Sequence, residues 1–163
     1  MLSSAKPRLF LAAAVLAITA APAFAAGTDT DVLTVRVTVQ EACTIAGGTL
    51  DFGTYSSGQQ TALDAEGTIS YNSCAAGTLT IALDGGGAAN VNNRRMASGD
   101  SQLGYQLYRN SARSNVWGTG EQALERVLLV ADSGSIPVYG RIPGGQNVPG
   151  GNYTDTVTVT LTF

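Results

Sequence analysis

Near each end of the chain, eight consecutive residues alternate apolar and polar without a fault. They are Leu33-Thr34-Val35-Arg36-Val37-Thr38-Val39-Gln40 and Thr156-Val157-Thr158-Val159-Thr160-Leu161-Thr162-Phe163. A period of two, rich in β-branched residues, is the pattern of a half-buried strand; a helix would repeat its apolar face every three to four residues. Shorter strand candidates lie between them, at Thr44–Ile45, Leu50–Phe52, Thr68–Tyr71, Leu79–Leu83, Leu103–Tyr108, Val127–Val130 and Pro137–Tyr139. Turn signals punctuate the series at Gly85-Gly86-Gly87, Asn90–Asn93 and Gly144-Gly145. Twenty glycines and five prolines in 163 residues suit many short strands. The expected fold is therefore all-β, an antiparallel sandwich. One stretch, Glu121–Val130, reads equally as a short helix or as a loop followed by a strand.

The amino terminus reads as an export signal. Lys6 and Arg8 precede the uncharged run Leu9–Ala21, which is shorter than the ~20 residues needed to span a bilayer. Ala23-Phe24-Ala25 supplies the small-x-small pattern of a signal-peptidase site, so cleavage is expected after Ala25. The expected organisation is a signal peptide over 1–25 and a single mature domain. Export places Cys43 and Cys74 in an oxidising compartment, where two cysteines pair by default.

Composition removes most chemistry. The chain contains no His, so imidazole metal ligands and Ser-His or Cys-His nucleophiles are excluded. Beyond the signal, seven basic residues, all Arg, face twelve acidic ones. This acidic balance speaks against a nucleic-acid partner. Asp51, Asp64, Glu66, Asp84, Asp100 and Asp132 fall in predicted turns with no paired spacing and read as solvated carboxylates. Gly85-Gly86-Gly87 has no following Lys-Ser/Thr and reads as a turn rather than a phosphate loop. Trp117, Tyr105 and Tyr108 either build the core or stack on a sugar, and strand spacing favours the core. No cofactor, metal or catalytic residue is expected, and no enzymatic activity.

Several short motifs occur in a fixed order. The alternating strand Leu33–Val39 stands shortly before Cys43. Leu50-Asp51-Phe52-Gly53-Thr54-Tyr55 follows, and Ile69-Ser70-Tyr71-Asn72-Ser73-Cys74 ends on the second cysteine. Then come Leu83-Asp84-Gly85-Gly86, Arg95-Met96 and Leu103–Arg109. Pro137-Val138-Tyr139-Gly140-Arg141-Ile142-Pro143 and Gly151-Asn152-Tyr153-Thr154-Asp155-Thr156 complete the set. In this order they resemble the spore coat protein U domain, shared by subunits of archaic, Csu-type chaperone–usher pili. The resemblance covers essentially the whole mature chain, with Phe52, Gly53, Tyr139, Gly140, Arg141, Pro143, Tyr153 and Asp155 among its landmarks. Residues 110–135 carry none.

The resemblance implies an incomplete immunoglobulin-like sandwich that is completed by a donated strand. A periplasmic chaperone would fill the gap first, an outer-membrane usher would mediate assembly, and a neighbouring pilin subunit would then take over the gap. Residues 26–42 would be the donor segment and 43–163 the sandwich. Leu33, Val35, Val37 and Val39 would be the donor plugs. Val157, Val159, Leu161 and Phe163 would share one face of the terminal strand beside the acceptor groove. From alternation alone, Leu33–Val39 is instead the first strand of a complete sandwich; the resemblance turns it into a donor. The implied role is that of a surface pilus subunit, of the shaft or adaptor kind because a single domain lacks a second, receptor-binding one. A spore- or cell-coat component and a secreted carbohydrate-binding module using Trp117 are the alternatives.

Overall fold

The computed structural model describes residues 27–39 and 42–163. The expected signal peptide and its cleavage site lie outside the described residues. The chain divides into an N-terminal unit ending at Val37 and a body beginning at Thr38. Within 27–39 no residue enters a strand ladder, and Leu33, Val35, Val37 and Val39 are 82–86% exposed. The faultless alternation of this segment is thus not matched by an assigned strand. A strand is defined by its partner, and alternation marks only the capacity for one.

The body is an all-β sandwich of eight antiparallel strands. They are β1 (Thr44–Ala46), β2 (Leu63–Cys74), β3 (Gly77–Leu83), β4 (Arg94–Ser98), β5 (Ser101–Tyr108), β6 (Leu124–Leu128), β7 (Asp132–Ile142) and β8 (Val159–Thr162). One sheet has the order β1-β2-β7-β5-β4 and the other β6-β3-β8. Inward residues of both sheets meet in one core, with Ile69, Tyr71, Leu79, Ile81, Leu83, Leu103, Leu107, Val138 and Ile142 buried. Alternation explains the inward set in β5, where Leu103, Tyr105 and Leu107 point in.

Several elements differ from the sequence expectation. Leu50–Phe52 joins no ladder. The terminal alternation is laddered only over Val159–Thr162, opposite β3. Val127–Val130 is shifted: the strand is Leu124–Leu128, and residues 129 and 130 belong to the following turn. The helical reading of Glu121–Val130 gives way to a 3-10 turn at Gly120–Gln122 followed by that strand. The strand Arg94–Ser98 has no alternation of β-branched residues to announce it. Pro137 is accommodated within β7 because β5 pairs only with residues 139–141, which leaves one edge beside the proline without a ladder.

Cys43 and Cys74 are joined, tying the start of β1 to the end of β2 across a sequence separation of 31. Closing a loop of that length restricts the unfolded chain by an amount worth about 3.5 kcal/mol.

Candidate functional site

A groove runs along one side of the core. A cleft of about 410 Å³ is floored by Ile69, Leu83, Tyr105, Leu107 and Val138 and walled by Leu50, Phe52, Val157 and Val159. A second cleft, about 670 Å³, continues it past Met96 and Tyr153 to Leu103, Ile142 and Val148. The floor residues are themselves buried, 1–7% exposed, and the accessible apolar lining is the half-buried set Leu50, Phe52, Met96, Tyr153, Val157 and Val159. The two banks of the groove are the stretches 49–55 and 153–159. Leu50–Phe52 in the first and residues 156–159 in the second read as strand in sequence, and of these only Val159 is laddered.

One bank offers a free edge. Asp84 donates its N–H to the Thr158 carbonyl at 3.1 Å, and Thr160 and Thr162 stand opposite Ala82 and Thr80. Alternate residues of an antiparallel strand turn their polar backbone to opposite edges. The N–H and C=O groups of Val157, Val159 and Leu161 consequently face away from β3, on the side where β8 ends its sheet. Val157, Val159 and Leu161 are half-buried against the core, whereas Phe163, expected on the same face, is 55% exposed.

The family landmarks gather around this groove. Phe52 packs edge-on to Tyr105, ring centroids 6.2 Å apart. Gly140 lies directly beneath it, where a Cβ would come within 2.7 Å of the Phe52 ring; only glycine permits that approach. Gly53 follows with a left-handed φ of 69°. The Pro143 carbonyl accepts from the Tyr55 hydroxyl at 3.3 Å, and Tyr153 donates to the Pro149 carbonyl at 2.8 Å. Two landmarks point elsewhere. Arg141 makes a two-pronged contact with Asp64 at 2.7 and 2.9 Å on the outer surface, and Tyr139 lies under the Arg113 guanidinium at 5.7 Å.

Asp155 fixes the lower half of the terminal bank. Its carboxylate accepts from the Tyr105 hydroxyl at 2.7 Å and from the Gly87 N–H at 2.8 Å. Asp84, on the same turn, accepts from Gly86 and Thr158 N–H groups, each at 2.9 Å. Gly86 has φ 60° and no room for a side chain beside Asp155, so the Gly85-Gly86-Gly87 turn is an anchor for the residues leading into β8. Asp84 and Asp155 thus meet at one turn, a juxtaposition invisible in sequence because 71 positions separate them. Burial raises the Tyr105 phenol far above its ordinary value, with Asp155 adding to the effect, so it remains a donor.

Burial works to raise the Asp84 carboxyl, but the Gly86 and Thr158 hydrogen bonds and the nearby Arg94 charge outweigh it and hold it below its ordinary value. The Asp64 carboxyl is likewise lowered, chiefly by its hydrogen bond from Arg141. A carboxyl depressed in the folded state contributes stability above its unfolded pKa, and that stability is lost as pH falls through the folded value. The protein is therefore expected to lose stability as pH drops below about 4. Asp84→Asn should flatten that acid limb, as followed by circular dichroism in a pH titration. An unchanged acid limb in Asp84→Asn would remove Asp84 from this account.

Beneath the groove sits a residue that the sequence reading passed over. Arg94 is 0% exposed. Its guanidinium donates to the carbonyls of Asp84 at 2.6 Å, Trp117 at 2.8 Å and Leu83 at 3.2 Å, and to Gln106 Oε1 at 2.6 Å. Trp117 is also 0% exposed, and its indole N–H donates to the Ile81 carbonyl at 2.9 Å. The sugar-stacking alternative for Trp117 is thereby corrected: no face of the ring is available. Tyr105 is buried as well, and Tyr108 half-buried. Among the described residues no three His, Cys, Asp or Glu side chains are grouped to hold a metal ion.

Comparison with known proteins agrees with this architecture. The chain is 35% identical to "Protein U" of Myxococcus xanthus, over 92% of this chain and 97% of that protein. In fold it is similar to a chain in the crystal structure of the CsuC–CsuE chaperone–tip adhesion subunit pre-assembly complex from the archaic chaperone–usher Csu pili of Acinetobacter baumannii. There the TM-score is 0.56 at 22% identity, over 75% of this chain, which spans 39% of the length of that one. The immunoglobulin-like pilin fold expected from sequence is thus the fold found. The Spore Coat Protein U domain matches residues 29–160, most of the chain, and the protein belongs to that family.

Proposed function

We propose that this protein is a structural subunit of a surface fibre, assembled by donation of its N-terminal strand to the groove of the next copy or of a related subunit. The observation that carries the reading is the pairing of an open apolar groove with an exposed, strictly alternating segment in the same chain. A groove lined by half-buried apolar side chains, beside an unladdered strand edge, is a template for strand addition. Leu33, Val35, Val37 and Val39 supply the complementary face. Residues 26–42 act as the donor and 43–163 as the acceptor. The groove needs a temporary occupant before assembly, which is the work of a periplasmic chaperone, and passage to the surface calls for an outer-membrane usher. The fold likeness to a chaperone-bound pilus subunit supports this route. The fibre serves surface attachment and biofilm formation, and the protein is no enzyme.

The family's own description favours a second reading, a coat component whose subunits are linked by the same groove without forming a pilus. Both readings share the strand-addition step, so that step is the one to test. A synthetic peptide of residues 29–40, added to a protein whose own arm carries Val35→Asp and Val37→Asp, should raise its melting temperature. The same peptide with Val37→Asp should not. An absent shift with the wild-type peptide would reject the strand-addition step.

A further inference from the structure

Val127, Leu129 and Val130 are 67%, 88% and 70% exposed, although they belong to the apolar run Val127–Ala131, of which only Leu128 is buried. Contiguous exposed apolar residues mark interaction surfaces, and edge strands are ordinarily protected by charge or proline where they end. Here the run closes β6, an edge strand, and fills the turn into β7. The register sets a second turn beside it. Gly77 stands opposite Leu128 and Cys74 opposite Asp132, so the exposed Ala75 and Ala76 adjoin Leu129 and Val130. The flanking charges are engaged elsewhere: Arg126 lies over the Tyr71 ring at 5.4 Å, and Asp132 accepts from the Tyr71 hydroxyl at 3.0 Å.

This apolar pole is also where the arm leaves the body, because the disulfide holds Cys43 to Cys74. Only residues 40–42 separate Cys43 from Val39, the last plug of the arm. Four residue steps span at most roughly 14 Å of extended chain. A copy that takes up the arm must therefore bring the end of its groove close to this pole.

We infer that Val127, Leu129 and Val130, with the Ala75–Ala76 turn, form a second contact between copies of this chain: the copy that receives the arm docks against the pole from which the arm departs. The inference rests on the donor-strand reading and extends it. The arm alone would leave successive subunits joined by a three-residue link. The apolar contact buries the exposed run and fixes the angle between subunits.

The test places a benzophenone photocrosslinker at position 129 in fibres of the full chain, beside a Leu129→Ser/Val130→Ser double variant. Irradiated fibres should yield crosslinks between copies, and chaperone-bound monomer should yield none. The double variant should keep the wild-type melting temperature as a chaperone-bound monomer and still assemble, since its arm is intact. Its fibres should show a broadened distribution of inter-subunit bend angles by electron microscopy. Fibres in which position 129 crosslinks to no other copy, or whose double variant keeps the wild-type angles, would overturn the contact while leaving the donor strand standing. If the wild-type chain forms no arm-linked fibre, the donor strand and this contact fall together.

Discussion

Replacing Arg94 by methionine is expected to leave little folded protein. Methionine keeps much of the buried stem but removes every donor from a guanidinium that serves the carbonyls of Leu83, Asp84, Val91 and Trp117 and the Gln106 side chain. Each buried acceptor left without a partner costs about 1–3 kcal/mol. Several such acceptors lost together amount to a large part of the total stability of a small domain. The damage should be structural at the groove itself, because Leu83 floors it and Asp84 anchors the Gly86 turn. Arg94→Lys should rescue only weakly: an ammonium has three donors and no planar fork. Soluble yield and melting temperature check both variants; a stable Arg94→Met protein would show that the buried network is dispensable.

The second large effect concerns Val37. Four aliphatic plugs entering an apolar groove yield about 9 kcal/mol gross at mid-range values, and eight new ladder hydrogen bonds add about 8 kcal/mol. Ordering ten residues costs about 15 kcal/mol. The margin is small, so one buried, unpaired carboxylate is enough to reverse it. Val37→Asp should therefore abolish strand donation. The body should still fold, because Val37 is 85% exposed. Val159→Asp should act differently. Val159 is half-buried, stands opposite Leu83 in the β3–β8 ladder and lines the groove, so a charge there should damage both folding and strand acceptance.

Much of this architecture was legible in the sequence. Alternation located the strands around Leu79–Leu83 and Leu103–Tyr108 and the terminal strand, and two cysteines behind an expected export signal sufficed for the disulfide. The boundaries failed where the pattern carries no phase. Val127–Val130 is uniformly apolar, so nothing in it shows that the ladder stops at Leu128, where β3 begins opposite. Leu50–Phe52 and residues 156–158 look like strands but join no ladder: Leu50 packs beside Gly67 of β2, and Thr158 bonds to Asp84 just beyond the end of β3. The buried polar elements were hidden for another reason. Arg94 and Arg95 are adjacent and chemically identical, yet one is buried and the other exposed, since strand parity alone separates them. The meeting of Asp84, Asp155 and Tyr105 depends on a long-range register that no local spacing encodes.

Co-expression of the chain with its chaperone, followed by co-purification and electron microscopy for fibres, tests the donated strand most directly. The account predicts that Val37→Asp accumulates as soluble chaperone-bound monomer with no fibres, while Val159→Asp loses the chaperone-bound monomer itself. Loss of that monomer in Val37→Asp as complete as in Val159→Asp would contradict it and make Leu33–Val39 a strand of its own chain's sandwich.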